Sequence, residues 1–286
     1  MRNVVSPVHF PCSAYTITNH LVPVSNDHLD ELFGIQDKVT IIIGATGELG
    51  GAIAKGLRQA GAHVVLVGRN EATGTERAET LSDVADAGSA RFISCDTTSK
   101  RQLKDLRERV DDHFGRLDVL VNSAGVNSDT PFLEIDEEEW NHIMEVNLKG
   151  VFLSCQVFGR YLIDQGEGGS IINISSMAGM TPLSRVFTYS ASKAGLINLS
   201  KNLAREWAPH DICVNCIAPG FFPAEQNREI LSEERIANIR DHTPMDRFGE
   251  ANELIGTMLL LASDEASSFI TGTNIPVDGG FSAMTV

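Results

Sequence analysis

Two side chains four residues apart raise the first question about chemistry. In YSASK, residues 189–193, Tyr189 and Lys193 fall on one face of any helix that contains them, one turn apart. A phenol with an ordinary pKa near ~10 is a poor acid–base group at neutral pH. An ammonium one turn away is the kind of neighbour that favours the phenolate. The spacing alone recurs by chance in many helices, so the pair needs company before it means catalysis.

A second cluster lies upstream, in IIIGATGELGGAIA, residues 41–54. A β-branched run enters it and a helical pattern leaves it. Gly44, Gly47, Gly50 and Gly51, with Thr46 and Leu49 between them, allow a tight turn whose backbone can approach a diphosphate. The helix that follows adds free N–H groups and a positive partial charge. The next predicted strand ends at Gly68, where a carboxylate for a ribose 2′-hydroxyl would be expected, and is followed by Arg69 and Asn70. A guanidinium there can pair with a 2′-phosphate. This favours NADP(H) and leaves NAD(H) open. Asp96 and Thr97 follow a third strand, where an adenine edge could meet polar groups. Asn122, Ala124 and Gly125 of NSAG close a fourth with a small surface for a ribose.

The elements that must position these residues alternate. Short apolar runs at 38–43, 62–68, 90–95, 117–122, 169–175 and 212–218, with TNIPV near the end, read as about seven strands. Between them, helical patterns are predicted from the glycine turn to 60 and over 70–87, 99–114, 137–165 (with a break), 189–208, 225–240 and 249–262. Strands alternating with helices imply a single-domain, Rossmann-type, doubly wound parallel sheet with helices on both faces. The domain is expected over 31–286, including a substrate lid at about 221–245. Residues 1–30 form an expected N-terminal extension.

Composition narrows the partners. A formal charge of −15 argues against nucleic acid and anionic membrane surfaces. No apolar run reaches the ~18 residues of a membrane span, and no secretory core is evident in the first thirty, so a cytoplasmic setting is expected. Five scattered cysteines give no disulfide framework. Cys213 and Cys216 lack the companions of a metal site and read as buried strand residues. The histidines at 113, 142, 210 and 242 are isolated, and no metal is expected.

Taken in order, the glycine turn, CD (95–96), NSAG, VNLKG, NISS, YSASK, APG and a terminal VDGG resemble the short-chain dehydrogenase/reductase family over about residues 32–283. The resemblance implies an oxidoreductase with four catalytic positions at Asn147, Ser176, Tyr189 and Lys193. Tyr189 would exchange a proton with the substrate oxygen, and Lys193 would favour the phenolate and bond the nicotinamide ribose. Ser176 would donate to the carbonyl oxygen, and Asn147 would hold a water joining Lys193 to solvent. Ser175 should point to the other side of its strand end. Two positions depart from the family pattern. Glu48 stands where a glycine is usual, and Pro223 and Ala224 replace a threonine-bearing loop, leaving Pro219, Gly220 and Phe222 to supply nicotinamide-side contacts through the main chain.

Further segments, among them VFGRYL, PGFFPAEQNR and HTPMDRFGE, are similar to the D-mannonate (fructuronate) oxidoreductase branch, itself similar to gluconate 5-dehydrogenases. This implies interconversion of a keto sugar acid and an aldonate. A sugar acid needs a cation and polar groups, which Arg185, Gln226 and Arg228 could supply. A reductase of another carbonyl, such as a 3-oxoacyl thioester, and a non-catalytic NAD(P)-sensing protein stay open as alternatives. The resemblance also implies a homotetramer or homodimer. Leu196, Leu199, Leu203 and Trp207 form a stripe suited to burial either between subunits or in the monomer core.

Overall fold

The β-branched runs pair into one sheet. The computed structural model describes residues 26–83, 88–223 and 233–284. Its strands are β1 (Val39–Ile43), β2 (His63–Gly68), β3 (Ala90–Ser94), β4 (Val119–Asn122), β5 (Gly169–Ile174), β6 (Ile212–Pro219) and β7 (Asn274–Val277). All neighbours are parallel, in the order β3-β2-β1-β4-β5-β6-β7. The chain winds outward from β1 in one direction and from β4 in the other. The crevice beyond the carboxyl ends of β1 and β4 is therefore the switch point where such sheets bind ligands.

Alternation along the strands sorts side chains onto two faces. Ile41, Ile43, Val65, Val67 and Leu120 pack with α4 (Lys100–Phe114), α6 (Gly150–Gln165) and α7 (Phe187–Trp207). Ile42, Val64, Leu66, Val119 and Val121 pack with α2 (Glu48–Gln59), α3 (Glu71–Ser82) and α9 (Ile255–Ala262). Both faces of the central strands are thus covered, which explains their nearly unbroken apolar runs. The caps agree with the sequence. Asn70, Ser99 and Asp136 accept from backbone N–H groups at the starts of α3, α4 and α5 (Glu137–Met144). Gly115 and Gly166 end α4 and α6 in the left-handed conformation.

The predicted break within 137–165 is one turn of π-helix, Glu145–Lys149, between α5 and α6. The described part of the segment expected as a lid, 233–245, contains α8 (Glu233–Asp241), and a short α10 (Asp264–Ser267) follows α9. The boundary expected at residue 30 falls inside a helix, α1 (Asn26–Phe33), which sits on the body where the Ser263 hydroxyl donates to the Leu32 carbonyl. No helix among the described residues is long and apolar enough to cross a membrane.

Candidate active site

The glycine turn after β1 is built for close approach. Gly44 has φ +86° and lies against β4's continuation, where a Cβ would meet the Ala124 nitrogen at 2.6 Å. A Cβ on Gly50 would stand 2.3 Å from the Gly44 carbonyl oxygen. Gly47, at the N-cap of α2, brings no side chain to the helix's free amides. The open amides and the cradle that only glycine leaves fit a dinucleotide's diphosphate. Beside the turn, a Cβ at Gly68 would lie 2.6 Å from Thr46 Oγ1. The threonine therefore fills the space from which an acidic side chain would reach a ribose. Arg69 is exposed, at the end of β2.

Tyr189, Lys193 and Ser176 share one cavity of about 950 Å³ with Gly44, Gly47, Leu49 and Gly50. Tyr189 and Lys193 sit on α7, and Lys193 Nζ lies 5.5 Å from the centroid of the tyrosine ring. Lys193 is 3% exposed and donates to the Ile174 carbonyl at 2.8 Å. Ser176 follows β5; its hydroxyl accepts from the Ala178 N–H at 3.1 Å and faces the Tyr189 phenol closely enough to favour the phenolate. Ser175 faces the other way, donating to the Ile217 carbonyl at 3.0 Å, as the alternation of an extended chain requires. Asn147 lies on the π turn, fully buried. Its Nδ2 donates to the Val126 carbonyl at 2.9 Å and to Ser192 Oγ at 3.1 Å, and its Oδ1 accepts from Val126 N–H at 2.8 Å. One lone pair on Oδ1 remains, and a point beside Gly125 lies 3.5 Å from both Oδ1 and Lys193 Nζ.

Burial dominates the electrostatics. It lowers Lys193 to about 8, opposed by the nearby Cys216. It raises the Tyr189 phenol above its ordinary value, opposed by the Ser176 hydrogen bond. The Lys193 ammonium, 5.5 Å from the ring centre, is the charge in the cavity that acts against this desolvation.

Several expected cofactor residues are already occupied. The Asn122 side chain faces the sheet, donating to Asn173 Oδ1 at 2.8 Å and accepting from Ser154 Oγ at 2.8 Å. Asn173 continues this buried chain to Ser200. The Asn122 side chain is thus structural, because an apolar sheet interior must pair every polar group it holds, and what it offers a ribose is its main chain at the strand end. Asp96 Oδ1 accepts from the Thr98 N–H and hydroxyl, and the Thr97 hydroxyl packs on Gly150. Asn70 is committed to its cap at Thr73 N–H. Gly125, Pro219, Gly220 and Phe222 line the cavity, while Asn122 and Ala124 support it from behind.

On the substrate side, the cavity wall takes Leu183, Ser184 and Val186 from the loop before α7 but not Arg185, which is exposed with φ +62°. Gln226 and Arg228 lie outside the described residues. The wall instead receives Arg235, Asn238 and His242 from α8 and its end. Their i, i+3, i+7 spacing in RIANIRDH marks one helical face, a signal already legible in the sequence. The Cys213 and Cys216 sulfurs face opposite sides of β6, toward Ser267 and Ser200 respectively. No group of three or more His, Cys, Asp or Glu that could hold a metal occurs among the described residues.

Comparison with known proteins places this arrangement. A family model described as enoyl-(acyl carrier protein) reductase matches residues 44–282. The 2-dehydro-3-deoxy-D-gluconate 5-dehydrogenase of Escherichia coli (strain K12) is 38% identical over 255 residues, covering 88% of this chain and 98% of that protein. The 3-oxoacyl-(acyl-carrier-protein) reductase FabG of Haemophilus influenzae is 36% identical over 247 residues, covering 86% and 98%. The crystal structure of a gluconate 5-dehydrogenase from Burkholderia cenocepacia J2315, in complex with NADP and tartrate, superposes with a TM-score of 0.84 at 31% identity. It covers 90% of this chain and all of that one.

Proposed function

The chain is an oxidoreductase of the short-chain dehydrogenase/reductase family, and from that premise we propose that it interconverts a sugar acid's secondary alcohol and the matching ketone, with NADP(H) favoured over NAD(H). The observation that carries the reading is the convergence of Tyr189, Ser176 and Lys193 on the cavity that the Gly44–Gly50 turn also lines. The bound nicotinamide ring would supply or accept the hydride and, when oxidised, a positive charge.

The protein's own groups do the rest. In reduction, Tyr189 gives its proton to the carbonyl oxygen while Ser176 donates a hydrogen bond to the same oxygen as charge develops there. The phenol's raised pKa keeps that proton in place until it is needed. Lys193 is anchored at the Ile174 carbonyl, where it can bond a ribose and hold positive charge near the tyrosine. A water between Lys193 Nζ and the free lone pair of Asn147 Oδ1 would return the proton from solvent. NADP(H) is favoured by the exposed Arg69 and by Thr46, whose side chain occupies the space of a 2′-hydroxyl-binding acid. Arg235, with Asn238 and His242, is placed to take the substrate's carboxylate and hydroxyls.

The second reading, reduction of a 3-oxoacyl thioester, is favoured by the FabG relative. A spectrophotometric scan at 340 nm with NAD and NADP in parallel separates the two. Aldonates such as D-mannonate, gluconate and 2-dehydro-3-deoxy-D-gluconate, or their keto forms, should turn over, while a 3-oxoacyl ester should not. Binding of NADPH without turnover of any of them would favour a sensor and overturn this reading.

A second copy of the chain is the proposed partner. Leu196, Leu203 and Trp207 serve the monomer core, but Leu199 lines an outer groove with Leu148 and the 41%-exposed Phe152. Sedimentation equilibrium should find a dimer or tetramer.

A further inference from the structure

We infer that Arg77, a residue of α3 remote from the reacting atoms, is a positioning residue that aims the glycine turn's amides at the cofactor diphosphate. The inference rests on the cofactor assignment above. Arg77 reaches across from α3, and its Nη1 donates to the Ala45 carbonyl at 2.6 Å and the Gly47 carbonyl at 2.5 Å. The trans peptide turns these two bonds into an orientation. The carbonyl of one residue and the N–H of the next share a plane and point in opposite directions. Drawing the Ala45 and Gly47 oxygens onto the guanidinium therefore points the Thr46 and Glu48 N–H groups away from it, to the other side of the turn. Among the described residues neither amide has a backbone acceptor of its own: Thr46 N–H makes no backbone bond, and Glu48 opens α2, where the first N–H groups have no partner within the helix. Gly47, Glu48, Leu49 and Gly50 line the cavity, so the turn's open side is the cofactor's side.

Gly51 completes the device. A Cβ at that position would lie 2.0 Å from Arg77 Nη1 and 2.7 Å from its Cζ. The guanidinium therefore lies over a glycine face of α2, and any side chain at 51 would expel it. The arginine also sets a positive charge behind the turn, opposite in sign to Glu48, a residue of the cavity wall.

The test uses Arg77→Met, Gly51→Ala and the double variant in the full chain. Dissociation constants for NADPH and NADH are read by nicotinamide fluorescence, and exchange of backbone amides over residues 44–51 is followed without cofactor. Each single variant should weaken both dinucleotides about tenfold, from the loss of a charge-assisted pair of bonds. Arg77→Lys should recover part of the loss. The double variant should be no worse than either single one, because both remove the same contact. Exchange over 44–51 should quicken in every variant but Arg77→Lys. Unchanged dissociation constants with a lowered melting temperature would make Arg77 a structural residue and overturn the inference, as would additive losses. Should the wild type bind neither dinucleotide, the cofactor assignment fails, while exchange over 44–51 still decides whether Arg77 holds the turn.

Discussion

Replacing Lys193 by Met should change the pH dependence of stability in a direction unusual for a lysine. Burial lowers this amine from 10.5 to about 8. A shift of that size corresponds to roughly 3 kcal/mol of penalty on the charged form in the folded state. The group is 3% exposed, so solvent screening removes little of it. Because the folded pKa lies below the unfolded one, the unfolded chain holds more protons between about pH 8 and about pH 10.5, and the wild type gains stability as pH rises through that window. Lys193→Met lacks this gain. Urea unfolding of both proteins at fixed concentration, from pH 7 to pH 10.5, isolates it, since all other titrating groups cancel in the difference. The variant should compare best at pH 7 and lose about 3 kcal/mol of relative stability by pH 10.5. The Ile174 carbonyl, left without its donor, sets a constant offset of ~1–3 kcal/mol against the variant. A difference that stays flat across the range would refute the burial argument, and one that grows in the variant's favour would reverse its sign.

Other outcomes follow from the same geometry. Ser176→Ala should lower kcat by ~10²–10³ by removing a donor to the developing oxyanion, and should also cost ~1 kcal/mol in urea unfolding because the hydroxyl caps the Ala178 N–H. Ser175→Ala should cost ~1–2 kcal/mol in urea unfolding while kcat stays within a few-fold. Gly50→Ala places a methyl 2.3 Å from the Gly44 carbonyl oxygen, so fluorescence titration should show much weaker dinucleotide binding in a protein that still folds. Arg235→Met should raise KM for an aldonate by ~10–100-fold and leave kcat within a few-fold, since it removes a charge-assisted contact far from the reacting carbon. An unchanged KM would take the carboxylate away from α8.

The fold was legible because its signals are local and repeated. Ile41, Ile42 and Ile43 announce a strand covered on both faces, and Gly44 can be read as a turn because only glycine tolerates φ +86° there. The Ser175–Ser176 distinction was legible too, since an extended chain alternates. What stayed hidden depends on the third dimension. Asn122 and Asn173 belong to different strands, and nothing in either segment says that their amides meet inside the sheet. Arg77 lies thirty residues from the carbonyl it bonds most closely in the turn. The tyrosine's raised pKa needed a buried environment that no spacing reports. The face formed by Arg235, Asn238 and His242 could have been read from its period, but the choice of Arg185 rested on proximity in sequence.

The π turn at Glu145–Lys149 leaves the rod from 137 to 165 one residue richer than a regular helix of the same length. Deleting a single residue there would let the ladder close into ordinary α-helix, a change that local energetics welcomes. It would also turn everything on one side of the deletion by ~100° relative to the other. The Asn147 carboxamide could then no longer face Val126 while α6 kept its seat in the core. The surplus residue is thus a phase shifter, holding two stretches of one helix at the angles their separate neighbours demand.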